Sequence, residues 1–438
     1  MDKCMFKRHI KTIIGSILLV LLFCITSIEA KTFKVASYNV ENLFDLTRDG
    51  TEYPEYIPNT GYGWTKDIAN IKYTNIARVI KDMGGDVVAL QEVESKKALI
   101  TLRDRLKDFG VDYPYLEIAD SRATSVKCAI LSKFPIVEKE EIQVDNEVAR
   151  NILKITLDVD GNRFILLINH WKSKQGPESM RIAYAKTLRR EIDKLKGDVD
   201  FILIGDFNSN YNEYKTFRNS GRLNDTGGIT GINHILGTIK DSEMVNEKIL
   251  TKQAANEYLY NLWLEVSKTG RWSYNFFGEK GSPDNIIVSK GLYDDKGISY
   301  IDNSFNKFQP DYLFKGKAVY RWQMVESGRG KHLGEGYSDH LPIFAYFSTE
   351  PFRFKNNDTV SNDIAPLKLG KTESPQGLLD LNTASKEELM FINGIGTVLS
   401  ARIIAGRPYR TVDDLLKVKG IGQKKLENIR PYFVADKK

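Results

Sequence analysis

The chain has 438 residues, 42% hydrophobic and 27% charged, a balance that excludes a disordered chain and a polytopic membrane protein and leaves room for two or three cores. Its formal charge of +6 is uneven: residues 1–30 carry four basic and two acidic groups, residues 377–438 carry eleven basic and seven acidic, and residues 31–376 are neutral. The sequence therefore describes a neutral body with a small basic tail.

At the N-terminus, Lys3, Lys7, Arg8 and Lys11 precede an apolar run from Ile13 to Ile25, and Ile28-Glu29-Ala30 ends in a small residue. This is the pattern of a cleaved export signal, with Lys31 the expected mature start. The run falls short of the ~20 apolar residues that span a bilayer, so no stable membrane span is expected after cleavage. Cleavage removes Cys4 and Cys24 and leaves Cys128 alone, which excludes an intrachain disulfide. Set in the apolar run Cys128 to Leu131, that thiol reads as buried and inert. The expected location is periplasmic or extracellular, and the expected state is a monomer.

Short apolar runs bounded by turn residues then recur at 35–40, 87–93, 129–131, 152–159, 164–169, 201–204, 286–288 and 341–347, the pattern of buried strands. Helical spacing links Ile76, Val79, Ile80 and Met83, and again Tyr184, Leu188, Ile192 and Leu195. Residues 220–335, richer in Gly, Asn and Tyr, predict long surface loops. A polar stretch at 349–376 reads as a linker. Beyond it, Ile392-Asn-Gly-Ile-Gly396 is echoed 26 positions later by Val418-Lys-Gly-Ile-Gly422, which makes residues 377–438 one small domain.

Chemistry-bearing residues gather at the ends of the predicted strands: Asn39, Glu92, Asp206, Asn208, Asp284 and Asp339. Strand ends of α/β sheets are where ligands bind, and oxygen-rich groups suit hard divalent cations. The expected cofactor is Mg2+, with Mn2+ and Ca2+ as alternatives, and the chemistry is a metal-assisted attack on a phosphoester. His170 and His340 flank predicted strands and can divide proton removal from proton donation. His234 and His332 have no such context and read as core histidines. Lys172, Lys174, Arg122 and Arg181 are candidates for flanking phosphates, of which Arg122 and Lys172 are retained as phosphate-binding expectations.

Five motifs in order, Ser37-Tyr-Asn-Val-Glu-Asn42, Leu90-Gln-Glu-Val93, Asn169-His-Trp-Lys-Ser173, Gly205-Asp-Phe-Asn208 and Ser338-Asp-His-Leu-Pro342, resemble the series of the endonuclease/exonuclease/phosphatase superfamily. The resemblance covers residues 31–348 and implies an α/β four-layer sandwich, two mixed sheets covered by helices, with the site at one end. It further implies that Glu92, Asn39 and Asp339 hold the metal, that Asp206 and Asn208 orient water and phosphate, and that His340, oriented by Asp284, is the general base. His170 then contacts the phosphate and serves the leaving oxygen. The chain departs from the usual pattern in having Asn285 after Asp284.

In the tail, Leu381-Asn-Thr-Ala-Ser-Lys-Glu-Glu-Leu389 and the two Gly-Ile-Gly turns resemble the paired helix-hairpin-helix domain of competence-type DNA receptors, a small all-α unit. The resemblance implies that Gly394, Ile395, Gly396, Gly420, Ile421 and Gly422 present backbone N–H groups to phosphates, with Lys424 and Lys425 adding charge. Such contacts grip duplex DNA without reading its sequence. The rival readings are a phosphatase or phospholipase-like phosphodiesterase, and a DNA-uptake receptor without catalysis.

Overall fold

In a computed structural model, residues 30–146, 149–197, 199–217, 220–276, 278–326, 329–354, 379–384, 389, 395 and 397–435 are described. The expected signal segment and most of the expected linker lie outside them. The chain divides into two compact units, Met1–Lys355 and Asn356–Lys438.

The first unit is built on two mixed sheets. One contains β1 (Thr32–Leu43), β2 (Val87–Val93), β3 (Tyr115–Ile118), β4 (Lys127–Ser132), β11 (Ser299–Tyr300), β12 (Asn306–Lys307) and β13 (Ile343–Ser348). The other contains β5 (Ile136–Ile142), β6 (Ile152–Val159), β7 (Asn162–His170), β8 (Phe201–Asp206), β9 (Tyr260–Asn261) and β10 (Asp284–Val288). Strand orders are β11-β13-β1-β2-β4-β3, with β12 also on β13, and β9-β10-β8-β7-β6-β5. β1 runs parallel to β2, and β7 to β8. Each parallel pair needs a crossover, and these are supplied by α1 (Lys66–Met83) and α3 (Glu178–Lys194).

Side chains alternate between faces with period two. Phe33, Val35, Val87 and Ala89 meet Leu166, Ile168, Ile202 and Ile204 in a core between the sheets. Ala36, Tyr38, Val88 and Leu90 point outward to Ile76, Val79 and Ile80 of α1 and to Leu99 and Leu102 of α2 (Lys96–Asp108). Leu167, Phe201 and Leu203 face Tyr184, Leu188 and Ile192 of α3. Burial on both faces is why these strands are continuously apolar in sequence. α1 is capped by the Thr65 hydroxyl, which accepts from the Ile68 N–H, and stopped by Gly84 at φ +65°.

The sequence reading misses α2, β3 and β5. β5 is an edge strand, Ile-Val-Glu-Lys-Glu-Glu-Ile, and most of its side chains are exposed. An edge strand with one wet face carries charge and shows no apolar run. Residues 349–354, expected to begin the linker, pack on the first unit. The Thr349 N–H reaches the Lys31 carbonyl, the Phe352 N–H reaches the Asp294 carbonyl at 2.8 Å, and the Phe352 ring lies 4.3 Å from that of Tyr293.

In the second unit, α4 (Thr397–Ala405) and α5 (Gln423–Ile429) close on a core that includes Leu381, Ile395, Leu399, Ile403, Ile421, Leu426 and Ile429. Two residues at each end, Leu379–Asp380 and Phe433–Val434, pair in parallel, a feature the all-α expectation lacks.

Candidate active site

Strand register assembles the site. His170 ends β7 opposite Asp206, which ends β8, and Asp206 in turn pairs with Asp284 at the start of β10. Their approach depends on Gly205, whose φ is +130° and whose added Cβ would lie 2.1 Å from the Asn169 carbonyl oxygen. In the other sheet, Asn39 of β1 pairs with Gln91 of β2, and the register shifts immediately afterwards. The shift leaves Glu41, Asn42 and Glu92 with φ of +50°, +63° and +66°, and Asn208, two residues past the end of β8, has φ +47°. Backbone in this region is strained for residues other than glycine. It turns the Glu92 carboxylate so that Oε2 accepts the Asn42 N–H at 2.9 Å.

Asn39 joins the two sheets. Its Nδ2 donates to Glu92 Oε1 at 3.0 Å and to Asp206 Oδ2 at 3.1 Å, while its Oδ1 accepts the Glu41 N–H at 3.0 Å. His340 reaches the same place from the loop before β13. The Ser338 hydroxyl donates to the Asn39 carbonyl at 2.7 Å and accepts the His340 N–H at 3.1 Å, which pins that loop to β1. His340 Nδ1 sits 2.8 Å from Asp284 Oδ2, an oxygen that also accepts from the Ser273 hydroxyl at 2.6 Å. Nε2 stands 3.9 Å from Asp339 Oδ1.

Their surroundings shift the pKa values of the two histidines in opposite directions. Burial opposes the imidazolium of His340, but the carboxylates of Asp284, Asp339 and Asp206 hold its pKa well above the usual value. His170 is pushed well below it by burial, then by Arg150 and His340. Its Nε2 stands 3.7 Å from both Glu92 Oε1 and Asp206 Oδ2. Asp206 is 1% exposed, and its pKa is raised by burial, against the pull of His340 and with the push of Asp284.

This donor set fits a hard divalent cation. Asp206, Asp284 and His340 bring ligand atoms within 4.8 Å of one another, and Glu92 and Asp206 share a single amide donor, Asn39. Soft ligation has no source here, because burial pushes the Cys128 thiol up to about 12.

Other expected residues are placed differently. Arg122 Nη1 donates to the carbonyls of Asn146 and Ala149 at 3.0 and 2.7 Å. Arg181, named as a candidate for phosphate contact, is fully buried. It pairs with Glu178 at 2.7 Å and donates to the carbonyls of Lys172, Ser173 and Gly176. Arg122 and Arg181 therefore hold loops, because a guanidinium can satisfy several backbone carbonyls at once. Lys174 pairs with Glu213 at 2.8 Å, and half-buried Lys172 lies in the loop that Arg181 shapes.

The sequence reading missed Arg150, Glu41, Arg321 and Tyr274. Arg150 donates to the Trp171 carbonyl at 3.4 Å and bonds the Tyr53 hydroxyl, next to Glu92. Arg321 Nε donates to Glu41 Oε1 at 2.9 Å, and its Nη2 is 3.6 Å from Asp339 Oδ2. The Tyr274 ring lies 4.8 Å from that of His340. Glu41 stood inside a recognised motif and could have been found there. Arg150, Tyr274 and Arg321 carry no local signal, since only the fold brings them to the site.

In the tail, Gly420 has φ +106°, Ile421 and Ile395 are buried at 5% and 3% exposure, and Gly422 is the N-cap of α5 without a side-chain cap. Lys425 is partly buried. Gly394, Gly396 and the Lys424 side chain lie outside the described residues. The Arg402 guanidinium donates to the Lys419 carbonyl at 2.7 Å and ties the first helix to the second turn.

Two facing mixed sheets with carboxylates, amides and a carboxylate-bound histidine at one end define a hydrolase-type fold and site. The model of the endonuclease/exonuclease/phosphatase family matches residues 34–226 and 235–349, so the chain belongs to that family. A helix-hairpin-helix motif model matches residues 374–434. A deoxyribonuclease of Thioalkalivibrio sp. (strain K90mix) is 34% identical over 93 residues, 21% of this chain and 23% of that protein. ComE operon protein 1 of Bacillus subtilis (strain 168) is 40% identical over 68 residues, 14% of this chain and 33% of that protein. The chain thus aligns with a third or less of each relative's own length. Among solved structures, truncated Caenorhabditis elegans TDP2 is similar at 16% identity, with 72% of this chain and 97% of that one covered and a TM-score of 0.42. An endonuclease/exonuclease/phosphatase family protein from Bacteroides thetaiotaomicron is similar at 15% identity, with 74% and 99% covered and a TM-score of 0.43. Among the described residues, no helix is long and apolar enough to cross a membrane.

Proposed function

We propose that this protein is an exported, divalent-cation-dependent nuclease that hydrolyses phosphodiester bonds in DNA, and that its helix-hairpin-helix tail grips duplex without regard to sequence. The observation that carries the reading is the Asn39 amide joined to both Glu92 and Asp206, beside the Asp284–His340 pair.

Glu92, Asn39 and Asp339 would hold the cation, which when bound supplies positive charge to the phosphoryl oxygens. In this reading Asp284 holds His340 Nδ1, so that Nε2 accepts the proton of the attacking water. Asp206 and Asn208, whose N–H donates to Asp206 Oδ1 at 2.8 Å, orient that water and the phosphate. Burial, Arg150 and His340 oppose protonation of His170, so in this reading it donates an N–H to a phosphate or leaving oxygen and stabilises the charge that develops there. Arg150, beside Glu92, adds a fixed positive charge on the phosphate side.

The test is to incubate the purified protein with supercoiled plasmid, linear duplex, RNA and small phosphoesters, with Mg2+, Mn2+ or Ca2+ and with chelator. Nicked circles that require a cation support the reading. Turnover of small phosphates alone would transfer it to a phosphatase, and DNA binding without any cleavage would transfer it to a receptor.

A further inference from the structure

The buried stripe of α1 includes Ala69, Lys72, Tyr73, Ile76 and Ile80, the spacing of a helix that packs on a core. One member of that stripe is a lysine. Lys72 is 0% exposed, and among the described residues no carboxylate pairs with it. Its Nζ donates to the Tyr337 carbonyl at 2.7 Å and lies 5.0 Å from the Trp322 ring. An ammonium buried without a paired carboxylate is costly, and stability alone favours an apolar side chain at such a position.

What Lys72 touches accounts for it. Three residues on, and so on the same helix face, Asn75 Nδ2 donates to the Gly336 carbonyl at 2.9 Å. Two side chains of α1 thus take the consecutive carbonyls of Gly336 and Tyr337. The same stretch is held by the chain before it: the Tyr337 N–H reaches the Tyr320 carbonyl at 2.8 Å, and a Cβ added at Gly336, where φ is +90°, would lie 1.9 Å from the Arg321 carbonyl oxygen. Asp339 and His340 follow within three residues, after Ser338 has tied the loop to the Asn39 carbonyl. The ammonium also lies in the field of the site. Burial pushes its pKa down to about 8, against the pull of Glu41, Asp339 and Glu92.

We propose that Lys72 is a positioning residue: with Asn75 it clamps the backbone at 336–337 and so sets where Asp339 and His340 stand, while its buried charge offsets those of Glu41 and Asp339. Its consequence for turnover rests on the hydrolytic reading above; the clamp itself does not.

The experiment compares the full-length wild type with Lys72→Met, which keeps the length of the side chain and removes its charge and donors, and with Asn75→Ala. Ile80→Ala, about two turns further along the same helix, is the control for lost packing. Lys72→Met is expected to lower kcat at saturating Mg2+ by on the order of 10- to 100-fold while KM for a short duplex changes less than about twofold. Asn75→Ala moves kcat in the same direction by a smaller factor. Ile80→Ala is expected to have a lower Tm than Lys72→Met and yet the wild-type kcat. In the chains without cation or substrate, amide hydrogen exchange at 337–341, taken relative to β1 and β2, is expected to quicken in Lys72→Met and not in Ile80→Ala. A kcat for Lys72→Met within about twofold of the wild type, an equal fall in kcat in Ile80→Ala, or unchanged exchange at 337–341 overturns the proposal. Exchange needs no turnover, so a wild type that cleaves no phosphoester would count against the hydrolytic reading while exchange still decides the clamp.

Discussion

His340 and His332 show how one residue type is put to opposite uses by its surroundings. His340 faces three carboxylates, and His340→Ala removes the proposed proton acceptor without touching the tail. Turnover is expected to fall by roughly two to four decades with DNA affinity little changed, as read by single-turnover cleavage beside equilibrium binding. Glu92→Gln deletes a charge from the proposed cation site, so half-maximal activity is expected at much higher Mg2+, and a metal titration reads this directly. His332 belongs to the core. Its Nδ1 accepts from Trp322 Nε1 at 2.8 Å and its Nε2 meets the Glu55 carbonyl at 2.9 Å, and burial, with help from Lys72, lowers its pKa. A base whose pKa is lowered on folding takes up its proton more readily when unfolded. Its stabilising contribution is therefore present above the unfolded value near 6.5 and lost as pH falls below it. Denaturation at pH 7.5 and 5.5 is expected to show the wild type losing up to about 1 kcal/mol more than His332→Gln. Equal losses would show that His332 is not titrating against the fold.

Elements reach the site through two glycine-dependent devices of different kinds. Asp160-Gly161 joins β6 to β7 with φ of +53° and +87°, the two-residue hairpin turn whose twist matches its strands. Nothing lies within 4 Å of a Cβ added at Gly161, so Gly161→Ala is expected to cost only the strain of its backbone, about 1 kcal/mol. Gly205 combines φ +130° with a backbone oxygen 2.1 Å from any added Cβ. Gly205→Ala must push β7 from β8, and it is expected to lose at least about 3 kcal/mol together with activity, since His170 and Asp206 separate. Denaturant midpoints of the two variants decide the point, and similar losses would mean that the close approach is not what registers these strands. The same scale explains the missed elements. Alternating or continuous apolar runs marked the central strands, whereas β5 and α2 are short of apolar residues because each has a solvent face.

For the whole molecule, the two compact units and the basic tail suggest that catalysis and grip are separable. A chain ending at Phe354 keeps every residue assigned to the site and also keeps the Phe352–Tyr293 contact, which a chain ending at Ser348 would lose. It is expected to fold alone and cleave short substrates at the wild-type rate. Its affinity for long duplex is expected to drop, and the slope of log affinity against log salt to flatten by about 0.9 for each phosphate contact removed with the tail. Cleavage and binding of long and short DNA across a salt series measure both, and unchanged slopes would mean that the tail does not grip DNA.

The sequence by itself determined the family and the order of the central strands along the chain, and it named six residues that the fold brings together, Asn39, Glu92, His170, Asp206, Asp284 and His340. It could do so because residues that end strands lie next to apolar runs that locate those strands, and the chemistry stands within a few positions of the pattern. Only the tertiary structure decided the electrostatics. It decided that burial and Arg150 disfavour the imidazolium of His170 while three carboxylates favour that of His340, that Arg122 and Arg181 hold backbone carbonyls, and that Arg150 and Arg321 border the carboxylates. Charge interactions depend on distance and burial, and Glu41 and Arg321, 280 residues apart, become neighbours only when two sheets and a long excursion have folded.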